Sequence, residues 1–140
     1  MKIYVASSWK NKWQPDAVRM LRDDGHEVYD FRTAAAFSWR LIDENWPQWT
    51  IDQYLKALYH PASVRGFTSD YGHVLACQAC LLVLPCGLSS GIEAGIAHGL
   101  GKPTAVWIPE ISEPELMVKS FSLITKNPTT IRNFFNEVLP

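Results

Sequence analysis

CLLVLPCGLSSGIEAGIAHGL, residues 80 to 100, joins a continuous apolar run to a segment rich in glycine and serine. The run Cys80 to Leu84 is short and apolar throughout, as expected of a strand covered on both faces of a parallel sheet. Pro85 and Gly87 interrupt it, and Ser90 to Leu100 has the spacing of a helix. A buried strand that leads directly into a helix is typical of α/β folds.

Strands and helices alternate on both sides of this stretch. Parallel neighbours need crossover connections, so the alternation predicts a single doubly wound, flavodoxin- or Rossmann-like sheet of five parallel strands flanked by helices. Residues 32–49 are rich in aromatic side chains without a clean period, which favours a long irregular loop or a broken helix. No linker or repeat divides the chain, and we predict one domain over residues 1–140. The other predicted elements are strands at 2–6, 26–31, 103–108 and 121–125 and helices at 16–24, 50–59, 68–79 and 129–138.

The balance of charged residues argues against a nucleic acid polymer or a membrane surface as the partner of this chain. The 140 residues include 13 Lys plus Arg against 14 Asp plus Glu, so the chain lacks the positive field that holds a nucleic acid polymer or an anionic membrane. The most apolar region, Val74 to Leu88, is broken by polar and turn residues and is short of the ~18 to 20 residues a membrane span requires. The strand-like start and the odd number of cysteines (three) favour a soluble protein of the reducing cytoplasm.

The carboxyl ends of the strands are the expected ligand site, because open parallel sheets bind ligands where their strand order reverses. Three segments should converge there: Ser7 to Lys12, the loop after the second strand, and Cys86 to Ser90. The last of these is a turn whose backbone N–H groups are suited to an anion such as a phosphate. Trp9 should open directly onto this edge.

Glu93 has two interpretations. Ser90 followed three residues later by glutamate fits a capping box, in which Glu93 only caps its helix. Alternatively, the ionised carboxylate, favoured near a helix N-terminus, acts as a nucleophile. Gly91, Gly95 and Gly99 fall along one helix face, so the sheet, a partner subunit or a ligand should press closely on that face, the sheet being the commonest.

Three stretches together resemble the nucleoside 2-deoxyribosyltransferase family, including its branch of nucleotide N-glycoside hydrolases. They are KIYVASSW (residues 2–9), Asp70 placed eight residues ahead of Gln78, and GLSSGIEAGIAHGLGKP (residues 87–103). The resemblance implies a doubly wound fold, a homodimer or larger oligomer, and a small nucleoside or nucleotide as substrate. Glu93 matches the family's nucleophile, Tyr4 the tyrosine that positions it, and Asp70 an acidic residue near the sugar.

The resemblance therefore implies cleavage of the N-glycosidic bond of a (deoxy)nucleoside or nucleoside monophosphate, by hydrolysis or by deoxyribosyl transfer, without a metal or organic cofactor. Gln78 and Gly87 depart from the transferase pattern, which favours water as the acceptor. Two alternatives remain open: an NAD or cytokinin-like nucleotide glycohydrolase, and a nucleotide-binding sensor without turnover. The implied catalytic residues are Glu93, Asp70 and Tyr4, and the substrate-binding residues are Ser7, Ser8, Trp9, Gly87, Leu88, Ser89, Ser90 and Gly91.

Other candidate residues have structural explanations that compete with functional ones. His73, Cys77 and Cys80 have a spacing compatible with metal binding, but burial is favoured because no second ligand pair lies nearby. Cys86 precedes a helix N-terminus, which can lower a thiol pKa. His98 is expected to have a packing or surface role rather than a catalytic one. Phe37, Trp39, Trp46 and Trp49 form either a lid that stacks on a base or a packing cluster. Asp43 and Glu44 should be solvated, and Lys10, Lys12 and Arg40 are weaker phosphate-binding candidates.

Overall fold

The computed structural model describes residues 1–34 and 36–138 and is built on five parallel strands in the order β2-β1-β3-β4-β5. The strands are β1 (Lys2–Ala6), β2 (Glu27–Tyr29), β3 (Ala79–Val83), β4 (Thr104–Trp107) and β5 (Leu123–Thr125). The helices are α1 (Gln14–Asp23), α2 (Phe31–Ala34), α3 (Ile51–Ala57), α4 (Pro61–Ala76), α5 (Leu88–Gly99) and α6 (Pro128–Glu137). Short 3₁₀ helices occupy Trp39–Leu41, Trp46–Gln48 and Leu116–Ser120. The predicted doubly wound α/β fold is confirmed.

Strand β3 is central and covered on both faces, as its sequence predicts. It pairs with β1 on one side and with β4 on the other. Ala79, Leu81 and Val83 belong to one hydrophobic cluster, whereas Cys80 and Leu82 belong to the other. Since full burial of a leucine side chain contributes roughly 1.5–3 kcal/mol, this strand is a major source of stability.

Helices cover each face of the sheet. One cluster includes Leu21 of α1 together with Ile131 and Phe135 of α6. The opposite cluster includes Ala94 and Ala97 of α5, Val74 of α4, and Cys77 immediately after α4. Strand β1 contributes to both clusters, with Ile3 and Val5 on the first face and Tyr4 and Ala6 on the second. The second face is the one that carries the candidate site.

Helix α5, which carries the candidate site, and helix α4 both start earlier than predicted, whereas the other helices lie within about two residues of their predicted bounds. Helix α5 begins at Leu88 rather than Ser90, with Gly87 in an extended conformation as its N-cap. Helix α4 runs from Pro61 to Ala76 rather than from 68 to 79. Its first half buries only small residues, so the apolar pattern that would reveal a helix there is weak. The remaining signal for its start is Pro61, because proline is a favoured first residue of a helix. Its end is set by the Gln78 main-chain N–H, which already donates to the Lys2 carbonyl oxygen at 2.8 Å.

The chain forms two compact units. The first contains Met1–Asp30 and the chain from His73 onward, and the second contains Phe31–Gly72. In the second unit, residues 32–49 were predicted as a long irregular loop or a broken helix, and their described part contains most of α2 and two short 3₁₀ helices. The assignment of a single domain stays a prediction. Among the described residues, no helix combines the length and apolarity needed to traverse a lipid bilayer.

Candidate active site

The first loop and the turn after β3 are joined by hydrogen bonds at the carboxyl edge of the sheet. The Ser7 hydroxyl donates to the Val83 carbonyl oxygen at 3.0 Å. The Asn11 side-chain amide donates to the same oxygen at 3.1 Å and to the Pro85 carbonyl oxygen at 3.0 Å. This confirms the predicted convergence of these two segments.

The residues predicted for the first loop occupy different environments. Ser7 is buried, and its hydroxyl proton is used by the Val83 carbonyl, so Ser7 forms part of the wall of the site. The Ser8 hydroxyl accepts from the Lys10 main-chain N–H at 3.3 Å, which shapes the turn. The Trp9 side chain is 50 % exposed at the end of β1, where an aromatic surface is accessible to a ligand.

Tyr4 lies in the floor of the sheet face beneath α5. It is fully buried and stands in register with Tyr29 on β2 and Cys80 on β3. Its ring stacks on Tyr29 with centroids 5.2 Å apart, and Tyr29 stacks in turn on His73 at 3.8 Å. Tyr29 was not among the predicted site residues, because a tyrosine within the second strand gives no signal of its own in the sequence.

Glu93 lies at the edge of the buried face of α5. Ser90, Ala94 and Ala97 are the buried residues of this helix, and Glu93 is half-buried beside them. Burial raises the pKa of the Cys80 thiol well above its ordinary value, and the charges of Cys77 and Glu93 raise it further. The carboxylate therefore lies within electrostatic range of Cys80, the register neighbour of Tyr4, so the structure brings Tyr4 and Glu93 to one region of this sheet face.

The capping-box interpretation of Glu93 is wrong. A capping box places serine at the N-cap and glutamate at the third helical residue. Here Gly87 is the N-cap, so Ser90 is the third helical residue and Glu93 is the sixth. At the sixth position the glutamate is a full turn too far along the helix for this role.

The face of α5 with the three glycines does not pack against the sheet, contrary to its commonest explanation. A side chain added at Gly91, Gly95 or Gly99 would meet no atom within 4 Å. These glycines instead line a cavity of about 790 Å³ with the turn Cys86–Leu88 and part of the segment 112–121. Glu93 is two residues from both Gly91 and Gly95, which places it on roughly the opposite side of the helix. The turn before α5 therefore lines this cavity, whereas the Glu93 carboxylate does not.

The substrate-binding residues predicted in the turn separate into two groups. Gly87, Leu88 and Gly91 line the cavity, and the Leu88 side chain is 82 % exposed. Ser89 is exposed and Ser90 is buried, and neither lines it. Asp70 lies in α4 within the second compact unit and is half-buried.

Cys86 does not have the lowered pKa that its position before a helix suggested. Burial raises its thiol pKa, and the negative charges of Glu115 and Glu93 raise it further. The helix N-terminus is outweighed because the thiol is partly withdrawn from water and has two carboxylates nearby. Cys86 is therefore a poor nucleophile at neutral pH.

The remaining candidates mostly have structural roles. Cys77 and Cys80 are buried as predicted, whereas His73 is exposed and stacked on Tyr29. Within residues 1–34 and 36–138, no group of three or more His, Cys, Asp or Glu side chains is arranged to hold a metal ion. His98 packs edge to face with Phe121 at 5.5 Å, which confirms its packing role.

Gln78 lies at the end of the sheet opposite the turn after β3. Its side-chain oxygen accepts from the Lys2 main-chain N–H at 2.8 Å, immediately before β3 begins. The residue therefore fixes the pairing of β1 and β3 at their amino ends. The glutamine at this position therefore has a structural explanation.

Aromatic side chains of the second unit pack against one another. The Trp39 ring lies 4.9 Å from Phe37, 5.7 Å from Trp49 and 5.9 Å from Tyr54. This supports the packing interpretation for these residues, while Trp46 is 41 % exposed. Asp43 was predicted to be solvated, but its carboxylate accepts hydrogen bonds from the Trp49 ring N–H and the Asn45 main-chain N–H. These hydrogen bonds lower the pKa of Asp43.

Solved structures of other proteins share the fold of this chain. No protein-family model matches the chain, and no curated protein matches it. It is similar to a 2-deoxyribosyltransferase from Bacillus psychrosaccharolyticus, with a TM-score of 0.64 and 20 % identity over 95 % of this chain and 91 % of that one. It is also similar to the Clostridium botulinum CMP N-glycosidase BcmB, with a TM-score of 0.52 and 16 % identity over 99 % of this chain and 100 % of that one. The chain shares the fold of these enzymes over nearly its whole length.

Proposed function

We propose that this protein cleaves the N-glycosidic bond of a (deoxy)nucleoside or nucleoside monophosphate, with Glu93 as the nucleophile. The observation that carries the proposal is the placement of Glu93, half-buried on α5 and within electrostatic range of Cys80 beside Tyr4. The helix boundary supports it, because Glu93 is too far from the N-cap for a capping box. The two solved structures compared above are named for reactions at a nucleoside or nucleotide.

The proposed chemistry follows from the charge that develops on the sugar. Departure of the base leaves an oxocarbenium-like centre at the anomeric carbon, and the Glu93 carboxylate captures it as a covalent glycosyl-enzyme. Tyr4 positions the carboxylate, and Asp70 is the candidate proton donor to the departing base. Water or a second base then attacks the anomeric carbon and releases Glu93.

The binding surface in this proposal is formed by the first loop and the turn before α5. Trp9 offers an aromatic face at the end of β1, and Ser8 belongs to the same loop. The turn from Gly87 to Gly91 receives the 5′ side of the sugar, with Ser89 and Ser90 at the start of the helix. Ser7 holds this turn relative to β1 through its bond to Val83.

The acceptor is water or a second base. Gly87, the N-cap of α5, brings no carboxylate to the turn, which favours water as the acceptor. Gln78 lies at the amino end of β3, so it does not help to distinguish water from a second base. We further propose a homodimer or larger oligomer in the cytoplasm, acting in nucleotide metabolism. Light scattering coupled to gel filtration measures the oligomeric state.

The test compares base release by the wild-type protein, Glu93→Gln and a matched control. Each protein is incubated with a panel of nucleosides, their 5′-monophosphates and NAD, with and without a second base, and products are separated by chromatography. Glu137→Gln is the control, because it removes one exposed carboxylate from α6. We expect Glu93→Gln to lower base release by at least about 100-fold, whereas the control retains wild-type activity.

The panel also distinguishes the alternatives. Exchange of one base for another identifies transfer, and base release without exchange identifies hydrolysis. Release of nicotinamide alone would instead support an NAD glycohydrolase. Tight nucleotide binding without any free base, in wild type and Glu93→Gln alike, would replace the enzyme by a sensor.

A further inference from the structure

Three aromatic rings of the first compact unit form a continuous stack on the sheet face that α5 covers. Tyr4 on β1 is fully buried, Tyr29 on β2 is half-buried, and His73 on α4 is exposed. The Tyr4 and Tyr29 ring centroids lie 5.2 Å apart with an interplanar angle of 20°. The Tyr29 and His73 centroids lie 3.8 Å apart at 19°. Tyr29 is therefore the middle ring, and it contacts both of the others.

The orientation of the Tyr4 ring depends on Tyr29. The register of β1 and β2 places the two tyrosines directly beside each other. In the sheet of the described residues, β2 is an edge strand of three residues, and Tyr29 is its last residue. Rings at this separation and angle pack as an offset stack. A movement of the Tyr29 ring would leave space beside Tyr4, and the Tyr4 ring would then be free to move into it.

His73 holds the Tyr29 ring in place. Its imidazole lies on that ring at a distance typical of van der Waals contact. His73 belongs to the last turn of α4, and the Lys102 ammonium fixes this end of the helix by donating to the Val74 and Leu75 carbonyl oxygens at 2.9 and 2.6 Å. Because the imidazole is exposed, its removal should affect the position of Tyr29 more than the stability of the fold.

We propose that Tyr29 and His73 are positioning residues for the nucleophile, because together they fix the ring of Tyr4. This inference rests on the proposed function, in which Tyr4 orients the Glu93 carboxylate. A misplacement of about 1 Å between reacting groups can cost roughly 100-fold in rate. A loosened stack should displace the carboxylate by less than this, so the expected decrease in kcat is about tenfold. Since neither positioning residue is assigned a contact with the substrate, KM should change little.

The experiment measures kcat and KM for base release by wild type, His73→Ala and His73→Phe. The substrate is the nucleoside or nucleotide that wild type cleaves fastest. We expect His73→Ala to lower kcat by about tenfold with KM changed by less than about twofold, whereas His73→Phe, which keeps a flat ring, restores most of the wild-type kcat. Phe67→Ala is the matched control, because Phe67 is an exposed ring of the same helix that stacks on a different tyrosine, Tyr71, at 5.1 Å. The control should retain the wild-type kcat.

A double-mutant cycle tests whether the two residues act through the same ring. Tyr29→Leu removes the middle of the stack, so it should lower kcat at least as much as His73→Ala. The double variant should then lower kcat no further, because His73 acts only through Tyr29. Melting temperatures identify conditions under which each variant is folded. If Tyr29→Leu does not fold, the comparison of His73→Ala with His73→Phe decides alone.

The outcomes separate this inference from the function on which it rests. A wild-type kcat in His73→Ala, an equal loss in Phe67→Ala, or additive losses in the cycle would overturn the inference while base release still supported the proposed function. Failure of His73→Phe to restore kcat would also overturn it, since the imidazole nitrogens rather than the ring would then matter. Absence of base release from wild type, or full activity of Glu93→Gln, would defeat the proposed function and the inference together.

Discussion

At the scale of single residues, Cys86 reports on the electrostatics of the turn. Burial and the charges of Glu115 and Glu93 raise its thiol pKa. We predict slow alkylation of Cys86 by iodoacetamide at neutral pH, with a rate that rises only above the ordinary thiol range near pH 8.5. Glu115→Gln should shift the rate profile toward lower pH, because one of the charges that disfavour the thiolate is removed.

Mass spectrometry of the peptide containing Cys86 measures this rate without interference from Cys77 and Cys80. The urea-unfolded chain is the reference for an unperturbed thiol. A Cys86 profile at or below that of the unfolded chain would contradict the description of the turn, because it would require a dominant positive potential there.

Asn11 connects the first loop to the turn after β3. It is 3 % exposed, donates to the Val83 and Pro85 carbonyls, and accepts from the Trp13 main-chain N–H at 2.7 Å. Asn11→Ala should lower the free energy of unfolding by about 1–3 kcal/mol, since buried main-chain groups lose their partner. Asn133→Ala, at an exposed position of α6, is the matched control and should change stability by less than about 0.5 kcal/mol.

Urea unfolding followed by tryptophan fluorescence measures both variants. If the loop holds the turn in place, Asn11→Ala should also lower base release. This loss should be seen at a temperature where the variant is fully folded, so that unfolding does not explain it. Equal unfolding midpoints for Asn11→Ala and Asn133→Ala would show that the two segments keep their positions without this side chain.

At the scale of elements, an ion pair between Arg132 and Asp24 connects α6 to the C-terminal end of α1. The Arg132 guanidinium binds the Asp24 carboxylate, with Nε–Oδ2 at 2.8 Å, and the Asp24 side chain is 7 % exposed. Hydrogen bonding from Arg132 is the main reason that the pKa of Asp24 lies below its ordinary value, and Asn136 lowers it further. Because this pKa is lowered on folding, the pair stabilises the protein above about pH 4, and its contribution is lost as the pH falls below that value.

We therefore predict that Arg132→Met lowers the melting temperature at pH 7 and that the difference from wild type shrinks as the pH falls from 4 toward 2. Differential scanning fluorimetry across this range measures both proteins. Arg19→Met is the control, because Arg19 pairs with Asp16 within the exposed surface of α1 and this pair connects no second element. A constant difference between wild type and Arg132→Met across the range would contradict the assigned role of Asp24.

The elements also show which parts of the structure the sequence could specify. Strands β1 and β3 were predictable because burial on both faces leaves almost no polar residue within them. The start of α5 was not, because Ser90 and Glu93 imitate a capping box and Gly87 gives no side-chain signal as an N-cap. The open glycine face and the Glu115 carboxylate near the turn depend on packing between distant segments, which no local pattern encodes.

At the scale of the whole molecule, the two compact units differ in how their elements are buried. Every residue of β3 is buried, whereas Ala57 is the buried residue of α3, and Ile51 in that helix is 77 % exposed. Local opening requires less free energy where fewer apolar contacts are lost. We predict that amide hydrogens of α3 exchange at least about tenfold faster than those of β3 after correction for intrinsic rates.

Hydrogen exchange followed by mass spectrometry of peptides from residues 51–57 and 79–83 tests this difference. Low concentrations of urea provide the internal control: exchange of the β3 amides should accelerate with urea because it requires extensive unfolding, whereas exchange of the α3 amides should be nearly insensitive. Equal protection and equal urea dependence in both peptides would mean that the units unfold as one cooperative body.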